Sequence, residues 1–493
     1  MRSIRHYFFG GVFAMLTLLV GCGQQATEEG VIPITTGSDE AREYFLLGRE
    51  AFEMGRSADA REYFDKALEA DPAFAIAYLY RARLANSAQE WKKYTDLALE
   101  HKTGASEGEQ MQIDMIPLYV ASDDEAVLEQ AKKLAGAYPK SPRAAMEVVY
   151  AMDGLNMTAA SRTQLEAIVA DHPSFAPAYR ALANSFVFES PNDFGQAETY
   201  ARKFVELAPQ EATGHILLGD VYRAQVQLEK ALEAYTEAVE VDPAHPVGYA
   251  KKGHADTFLG NYDMARADFE EAMEHSEGTA KISGANFGVY TYVYAGDFPA
   301  ALNANAAVMQ NIPQLIADEE AQKQAMMICY EDRCKIAAAA GDFDIARDAL
   351  KAYAELRRDI AGDMNMPEFV AYTEADIAEL EGWVAAMEGD FDAALASAEA
   401  AAEHLAVSKS PRKLEGVHLL KGYVARQQGD PEAALEHFAQ SNDDWITVKF
   451  HTAQAEEALG NTQKAMELYR EVAEWNFNGL DYALIRNKAL AKI

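Results

Sequence analysis

Only a few residues in this sequence have types and a spacing that suggest chemistry. Glu271 and His275 are four residues apart, and with Glu270 and Glu274 they could present a weak cation site on one helix face. A stable metal site needs three or four converging ligands, so a solvated face near a helix end explains the cluster better. The other histidines are scattered, and the sequence contains neither H-E-x-x-H nor G-x-x-x-x-G-K-[ST]. The sequence therefore predicts no metal site and no cofactor.

Two further sets of residues have types that could serve catalysis or redox chemistry. The aspartate pairs at 123–124 and 443–444 lie in predicted loops, where carboxylates can cap helices without any catalytic role. Cys329 and Cys334 are five residues apart, which turns their side chains about 140° apart on a helix. A disulfide within one helix would be strained, so both are expected to be small packing residues. We expect no enzyme activity.

The charge of the chain is strongly negative. It has 78 acidic residues against 44 Lys and Arg, a formal net charge of −34. Such a surface repels phosphate backbones, and no basic stripe offsets it, so nucleic-acid binding is not expected. The acidity suits either a groove for basic partners or cations, or general solubility and a salty habitat. Composition alone does not choose between these alternatives.

The N-terminus has the features of a secretion signal. Arg2 and Arg5 form a positive start, and residues 7–20 form a hydrophobic run too short for a comfortable membrane span. The run ends in Leu-Val-Gly-Cys at residues 19–22, which resembles the lipobox of bacterial lipoproteins. The resemblance implies a signal peptide over residues 1–21 and a lipidated Cys22.

The resemblance also implies a location. Gly23, and not Asp, follows Cys22, which by similarity to Gram-negative lipoproteins favours the outer membrane, with the protein facing the periplasm. Several acyl chains, each methylene contributing about 0.8 kcal/mol when buried, give stable anchoring. Residues 22–37 have few large apolar side chains and are predicted to be a flexible tether, which places the folded body about 20 Å from the bilayer.

From residue 38 onward the sequence repeats itself. Small and aromatic residues recur along helix-like stretches that end in Asp-Pro or a similar stop. A small residue where two helices cross lets their backbones approach, and an aromatic residue fills the groove beside it. The clearest matches, each 34 residues apart, are Gly219 and Gly253, Ala231 and Ala265, Tyr235 and Phe269, and Ala238 and Ala272.

This pattern resembles the tetratricopeptide repeat (TPR) family, whose 34-residue unit is a pair of helices. Gly48, Ala60 and Phe64 repeat the pattern near the start of the chain. The resemblance implies an all-α solenoid, a right-handed superhelix of about twelve helix pairs over residues 38–479. Residues 480–493 are predicted to form a C-terminal capping helix.

In the second half the period lengthens but the turn persists. Gly-Asp or Gly-Asn pairs begin at residues 296, 341, 389, 429 and 460, and each precedes an alanine-containing helix. Gly ends one helix in a left-handed conformation, and the Asp or Asn caps the next. Several of the spacings between these glycines exceed the repeat length of the family, so some helices are predicted to be longer than those of the family's unit.

The family binds peptides on its concave face, which is made mainly by the first helix of each pair. One subset of the family grips a partner's terminal carboxylate, and Arg180 and Asn184 occupy the first positions of such a clamp. The next repeats depart from it with Leu217 and Val247. The resemblance places these candidate partner-binding residues on the concave face: Arg180, Asn184, Thr213, Ile216, Asp220, Arg223, Ala250, Lys251, His254 and Thr257.

Two functional hypotheses remain. The first is a membrane-anchored scaffold of the cell envelope that binds a protein or peptide on its concave face. The alternative is a glycan- or nutrient-binding lipoprotein of the helical outer-membrane type, which would carry long aromatic-rich insertions. The four tryptophans, Trp91, Trp383, Trp445 and Trp475, are widely separated and are predicted mostly to be packing residues. The sequence does not identify the partner or the oligomeric state.

Overall fold

The computed structural model describes residues 30–364 and 366–493, and every regular element in this part of the chain is a helix. The all-α class predicted from the sequence is confirmed there. Residues 1–21 and Cys22, the predicted signal peptide and lipidation site, lie outside the described residues. No helix within the described ranges has both the length and the apolarity required to cross a membrane.

The described residues form 26 α-helices joined by short connections. Most helices pack against the next one along the chain, as a solenoid requires. The helices are α1 (Asp39–Met54), α2 (Ser57–Ala70), α3 (Ala75–Ala82), α4 (Ala88–His101), α5 (Glu107–Ile113), α6 (Ile116–Val120), α7 (Asp124–Ala137), α8 (Pro142–Gly154), α9 (Thr158–Asp171), α10 (Ala176–Phe188), α11 (Phe194–Leu207), α12 (Ala212–Ala224), α13 (Leu228–Val241), α14 (Pro246–Leu259), α15 (Tyr262–Glu274), α16 (Ala280–Tyr294), α17 (Phe298–Leu315), α18 (Glu319–Ala340), α19 (Phe343–Met364), α20 (Pro367–Glu388), α21 (Phe391–His404), α22 (Glu415–Gln427), α23 (Pro431–Phe438), α24 (Ile446–Ala458), α25 (Thr462–Glu474) and α26 (Leu480–Leu490).

These helices make twelve pairs and one additional helix. The short helices α5 and α6 together take the place of the first helix of the third pair, and both contact α7. The other first helices are α1, α3, α8 and the even-numbered helices from α10 to α24. The predicted count of about twelve pairs is therefore confirmed. The additional helix, α26, falls within the predicted capping segment, residues 480–493.

The glycines predicted at helix crossings have no room for a side chain. A Cβ added to Gly219 would lie 2.2 Å from the ring of Tyr235, which is fully buried. The equivalent Cβ on Gly253, one repeat later, would lie 2.6 Å from the ring of Phe269. Any larger residue would push the paired helices apart, so the small-plus-aromatic pattern follows from the close approach of two backbones.

The Gly-Asp turns have the predicted geometry, whereas at Gly460-Asn461 the Asn461 side chain does not cap α25 and donates instead to Glu456. Gly341 and Gly389 end α18 and α20 with φ of 80° and 94°, the left-handed conformation that favours glycine. The Asp390 side chain then accepts a hydrogen bond from the backbone N–H of Ala393 and caps α21. Helices α18, α19 and α20 each contain 22 residues, which explains the longer repeat period in this region.

The described part of the predicted tether, residues 30–37, lies against the first helix pairs. The backbone N–H of Thr35 donates to Glu109 at 3.0 Å, and the Thr36 hydroxyl donates to Asp71. Both carboxylates lie on or beside the helices of the first three pairs. This stretch is therefore part of the folded body, although the sequence predicts that the whole tether is flexible.

The solenoid coils tightly enough that pairs distant in sequence touch. Arg61 of α2 lies 3.3 Å from Glu277, at the start of the eighth pair. The Tyr372 hydroxyl of α20 donates to the Ser122 hydroxyl at 2.7 Å, joining the tenth pair to the third. The first pairs therefore contact the later part of the superhelix.

Candidate functional site

Four of the predicted partner-binding residues form or adjoin a buried ionic network on α12 and α14. Asp220 accepts from Lys251 at 2.9 Å, from Arg223 at 2.8 Å and from the Tyr235 hydroxyl at 2.7 Å. Burial alone would raise the pKa of Asp220, but Lys251 and Arg223 together outweigh it, so the net pKa lies below the ordinary value. Asp220 is therefore ionised, and its bonds tie two consecutive first helices together.

The C-terminal segment, residues 476–490, lies over this network. The Phe477 ring is 4.7 Å from the Phe188 ring, and the Arg223 guanidinium stacks 4.5 Å from the Phe477 centroid. Arg223 is only 1% exposed as a result. Aromatic and cation–π contacts of this kind contribute about 1 kcal/mol each. The part of α10, α12 and α14 that the resemblance assigns to the concave face is therefore covered by residues 476–490 of the same chain.

Hydrogen bonds continue along the same segment. The Asn478 amide lies 3.0 Å from His254 Nδ1, and the Tyr294 hydroxyl donates to the Asn478 carbonyl oxygen at 3.0 Å. Burial, followed by Arg223, lowers the pKa of His254 well below 6.5, so the imidazole is neutral and Nδ1 can accept from the amide. The segment is thus held by specific polar contacts as well as by packing.

The other predicted residues are distributed between the core and a second contact point. Ile216 is 6% exposed and packs in the core, and the buried Thr257 hydroxyl donates to the Gly253 carbonyl of its own helix. Ala250 is half-buried on α14. Ile216 and Thr257 therefore already have a structural role. That Ile216, Thr257 and Ala250 contact a partner stays a prediction.

Arg180 and Thr213 meet near the end of α1. A Cβ added to Gly55 would lie 2.8 Å from Arg180 Nη1 and 3.1 Å from Thr213 Oγ1, so both predicted residues point at the same turn. Asn184 is half-buried one helical turn after Arg180 on α10. The sequence-predicted residues are therefore split between this turn and the Asp220 network, and no single open surface of the described chain presents them all.

A concave basin of 640 Å³ lies further along the solenoid. Its walls are the first helices α18, α20, α22 and α24, with α19 behind and α26 closing the remaining side. We call it the C-terminal basin. It is lined by Glu331, Cys334, Lys335, Ala338, Ala339, Tyr353, Arg357, Asp376, Glu379, Leu380, Trp383, Val384, Met387, Leu419, Tyr423, Thr447, Phe450, His451, Asp481, Leu484, Ile485 and Lys488.

Aromatic rings from three helices meet in the basin. Trp383 of α20 lies 5.0 Å from Tyr423 of α22, with the rings tilted by 57°. His451 of α24 lies 5.1 Å from Tyr423 and 6.3 Å from Trp383. Burial, with Arg426 nearby, lowers the pKa of His451 to about 3, so this imidazole is neutral near pH 7. The basin wall here is therefore neutral and aromatic, with Trp383 half-buried and Tyr423 and His451 largely buried beside it.

Most of the charges around this surface are paired. Lys335 of α18 lies 3.0 Å from Glu331 and 3.4 Å from Asp481 of α26, which links the two walls. Arg357 of α19 forms an ion pair with Asp376 of α20. Paired charges in a partly desolvated site fix geometry more than they add net attraction for a ligand.

Glu379 differs from these ion-paired residues. Its carboxylate lies against α22, where a Cβ added to Gly416 would clash with Oε2, so the glycine leaves room for it. Within residues 30–364 and 366–493, no Lys, Arg or His lies within ion-pair distance of Glu379. Burial, with Asp376 next to it, raises its pKa to about 7. Among the described residues, the basin thus contains an uncompensated, half-buried carboxyl group beside the aromatic surface.

Sequence reasoning did not find this basin. It assigned Trp383 to packing, because the tryptophans are far apart in the chain. A signal was present, since Asp376, Glu379, Trp383 and Met387 follow one another at three- and four-residue intervals on one face of α20. A stripe that mixes acids with a tryptophan differs from the alanine-rich stripes that pack one helix on another.

Other residues that the sequence singled out for chemistry are the Glu271–His275 pair and the two cysteines. These ranges contain no group of three His, Cys, Asp or Glu side chains that could hold a metal ion, and His275 lies 4.0 Å from Glu271. Cys329 and Cys334 are free and fully buried, and burial raises the pKa of each thiol to about 12. Both cysteines are therefore packing residues, as the sequence predicts.

Sequence comparison identifies the repeats. Two profiles, both described as tetratricopeptide repeat, match the chain: one covers residues 45–93 and 192–246, and the other covers residues 248–276. The first match spans α1 to the start of α4, and the others span α11 to α15. No curated protein matches the sequence.

Solved structures of low sequence identity resemble parts or most of the chain. Yeast Tom70 is 14% identical, with 92% of this chain and 88% of that chain covered and a TM-score of 0.32. A thermophilic TPR protein of Thermus thermophilus is 18% identical, covering 36% of this chain and 98% of that one, with a TM-score of 0.32. A tetratricopeptide repeat protein of Parabacteroides merdae is 15% identical, covering 57% and 98%, again with a TM-score of 0.32.

Proposed function

We propose that this chain, a tetratricopeptide repeat protein, is a lipid-anchored scaffold that holds a segment of a partner protein in its C-terminal basin. Tetratricopeptide repeats indicate a protein-interaction scaffold. The finer parts of the proposal are the anchor at Cys22, the site of the partner and the absence of catalysis. The anchor and the partner site each have their own support and their own test.

The C-terminal basin is the observation that carries the proposal. It combines 640 Å³ of open volume with aromatic and charged side chains from successive first helices. Such a lining suits an extended or helical peptide, which presents apolar and polar groups at short intervals. The concave face near Asp220, in contrast, is already covered by the C-terminal segment, so the basin is the favoured site for a partner.

The glycan-binding alternative finds less support in this site. Sugar rings stack on exposed aromatic faces, and of the four tryptophans, all of them in the described ranges, Trp383 alone lines the basin. A protein segment, which needs one or two aromatic anchors and several polar contacts, matches the lining better.

The anchoring part of the proposal rests on the sequence around Cys22. The Leu-Val-Gly-Cys run resembles a lipobox, and the residue after Cys22 favours an outer-membrane lipoprotein facing the periplasm. Residues 30–37 lie against the first three pairs. The basin is built from the last four pairs and α26, whereas the described part of the tether lies on the first three pairs.

Photo-crosslinking tests the partner site directly. A photoreactive amino acid is placed at Met387, which lines the basin and is 36% exposed, and in a separate variant at Met264, which is 59% exposed on α15 and outside the basin. We expect discrete crosslinked proteins from intact cells with the Met387 variant and none of the same bands with the Met264 variant. Equal labelling from both positions, or labelling from Met264 alone, would contradict the proposed site.

The anchor is tested by Cys22→Ala. We expect the wild-type chain to incorporate labelled fatty acid and to sediment with outer membranes, and the variant to do neither. A variant that remains in the membrane fraction without acylation would refute the lipid anchor. A pull-down with the two forms then shows whether the Met387 crosslinking partners depend on membrane attachment.

A further inference from the structure

We infer that the C-terminal basin recognises a basic side chain, Lys or Arg, of the partner segment, whose cationic group meets the Glu379 carboxylate and whose stem lies against Trp383 and Tyr423. This inference rests on the proposed function, because it names the chemistry of the segment that the same basin would hold. It concerns a charged group on the α20 wall that the described part of the chain leaves without a counterion.

The Glu379 carboxylate lies next to the aromatic rings of the basin. Glu379 and Trp383 are four residues apart on α20, so their side chains project from the same face in consecutive turns. On the neighbouring α22, Gly416 lies against the carboxylate, and Tyr423, two turns later, lies against the indole. A carboxylate and two aromatic rings therefore border the same part of the basin.

A basic side chain complements the chemistry of this part of the basin. A Lys or Arg side chain has an apolar stem and a cationic end, and it pairs favourably with a carboxylate at one end and aromatic faces along its length. An acidic or purely apolar side chain would leave the half-buried Glu379 without a partner. The net charge of the whole chain, −34, favours approach of a basic segment as well.

The surrounding charges do not already satisfy Glu379. Asp376, its nearest charged neighbour, is paired with Arg357 of α19. Lys488 lines the α26 wall of the basin, and among the described side chains it forms no ion pair with Glu379. The other charged or titratable groups that line the basin are Glu331, Cys334, Lys335, Tyr353, Tyr423, His451 and Asp481.

Proton release from Glu379 on binding is a second expected property of the basin. Burial, with Asp376 next to it, raises the pKa of Glu379 to about 7, so the free carboxyl is partly protonated near neutral pH. A bound cation stabilises the carboxylate and lowers this pKa. Binding of a basic side chain near pH 7 therefore releases a fraction of a proton to the solvent, and the affinity rises as the pH increases through 7.

The experiment uses the full-length, detergent-extracted protein and a displayed library of random seven-residue peptides. We expect the selected peptides to carry Lys or Arg at one fixed position. Replacing that residue by norleucine or N-acetyllysine, which keep the stem but remove the charge, should weaken binding about tenfold or more. Calorimetry in buffers of different ionisation enthalpy should detect the released protons.

Glu379→Gln is the decisive variant, and Glu381→Gln, an exposed position on the same helix, is the matched control. We expect the first variant to lose both the preference for Lys or Arg and the proton release, and the second to keep both. Unchanged circular dichroism and unfolding midpoints verify the folds. The inference would be overturned, and the scaffold proposal would stand, in either of two cases. In the first, the selected peptides compete with one another for the basin at Met387 but show no preference for Lys or Arg. In the second, the preference for Lys or Arg survives Glu379→Gln. Selection of no peptide at all would overturn both.

Discussion

Replacement of Phe477 by alanine should loosen the C-terminal segment from the concave face. The Phe477 ring contacts Phe188 at 4.7 Å, the Arg223 guanidinium at 4.5 Å and Trp475 at 5.1 Å. Truncating a fully buried phenylalanine costs about 3–5 kcal/mol, and Phe477 is only half-buried, so packing loss should be about 2 kcal/mol. The aromatic and cation–π contacts add about 1 kcal/mol. The expected total is about 3 kcal/mol.

Native-state hydrogen exchange is the suitable assay, because it reports the opening of one segment and does not require the whole solenoid to unfold in one step. A loss of about 3 kcal/mol corresponds to roughly a hundredfold faster exchange of the backbone amides in residues 480–490. The amides of α1 and α2, which pack on α10 and α3 and not on α26, should keep their wild-type rates.

Met264→Ala supplies the control for this experiment. Met264 is 59% exposed on α15, so its truncation should change exchange in α26 by less than about threefold. Exchange in α26 that is the same in the Phe477→Ala and Met264→Ala variants would show that the Phe477 ring does not hold the segment. It would mean that the segment is held on α12 and α14 by contacts other than the ring.

Three further substitutions test the packing and the buried charges. Gly219→Ala should destabilise the chain by about 1–3 kcal/mol in urea unfolding, because the new Cβ meets the Tyr235 ring, whereas Gly136→Ala, with no atom within 4 Å, should be neutral or stabilising. Asp220→Ala should cost about 3–5 kcal/mol, since it leaves the buried Arg223 and the half-buried Lys251 without their carboxylate; an effect below about 1 kcal/mol would contradict the network. Burial raises the pKa of Asp332 to about 7, above its unfolded value, so its contribution to stability is present below about pH 4 and is lost as the pH rises to 7. The stability of Asp332→Asn relative to wild type should therefore rise over this range, by up to about 4 kcal/mol, and a pH-independent difference would show that the carboxyl is not buried.

The repeat unit was predictable because its determinants are local. Gly219 and Tyr235 belong to the two helices of one pair, so their spacing alone encodes the contact between them. The same holds for Gly389, whose left-handed turn joins adjacent helices, and for Asp390, which caps the next one. Sequence periodicity reflects contacts between neighbouring helices, and the expectations for these four residues are confirmed.

The covering of the concave face was not predictable in the same way. Phe477 and Phe188 meet although more than half of the chain separates them, and the contact of Phe477 with Arg223 depends on the accumulated rotation of the intervening pairs. Each pair adds a small rotation that its own sequence does not reveal, so the inner surface that faces α26 emerges only from their sum. The sequence correctly placed Asp220, Arg223 and His254 on consecutive first helices but gave no indication that a segment of the same chain lies over them.

The long-range contacts distinguish this solenoid from an open repeat array. In an open repeat array each unit touches only its neighbours, and stability is a sum of local terms. Here Arg61 contacts Glu277, Ser122 contacts Tyr372, and the C-terminal segment joins α24 to α16. These contacts close long loops of the chain, each spanning several helix pairs, and they oppose fraying from either end. The basin gains rigidity from this closure, because α26 is at once its wall and the segment that fastens the last pairs to the middle of the chain. A partner that enters the basin therefore meets walls held in place before it arrives, and it avoids part of the ordering entropy that flexible binding surfaces lose.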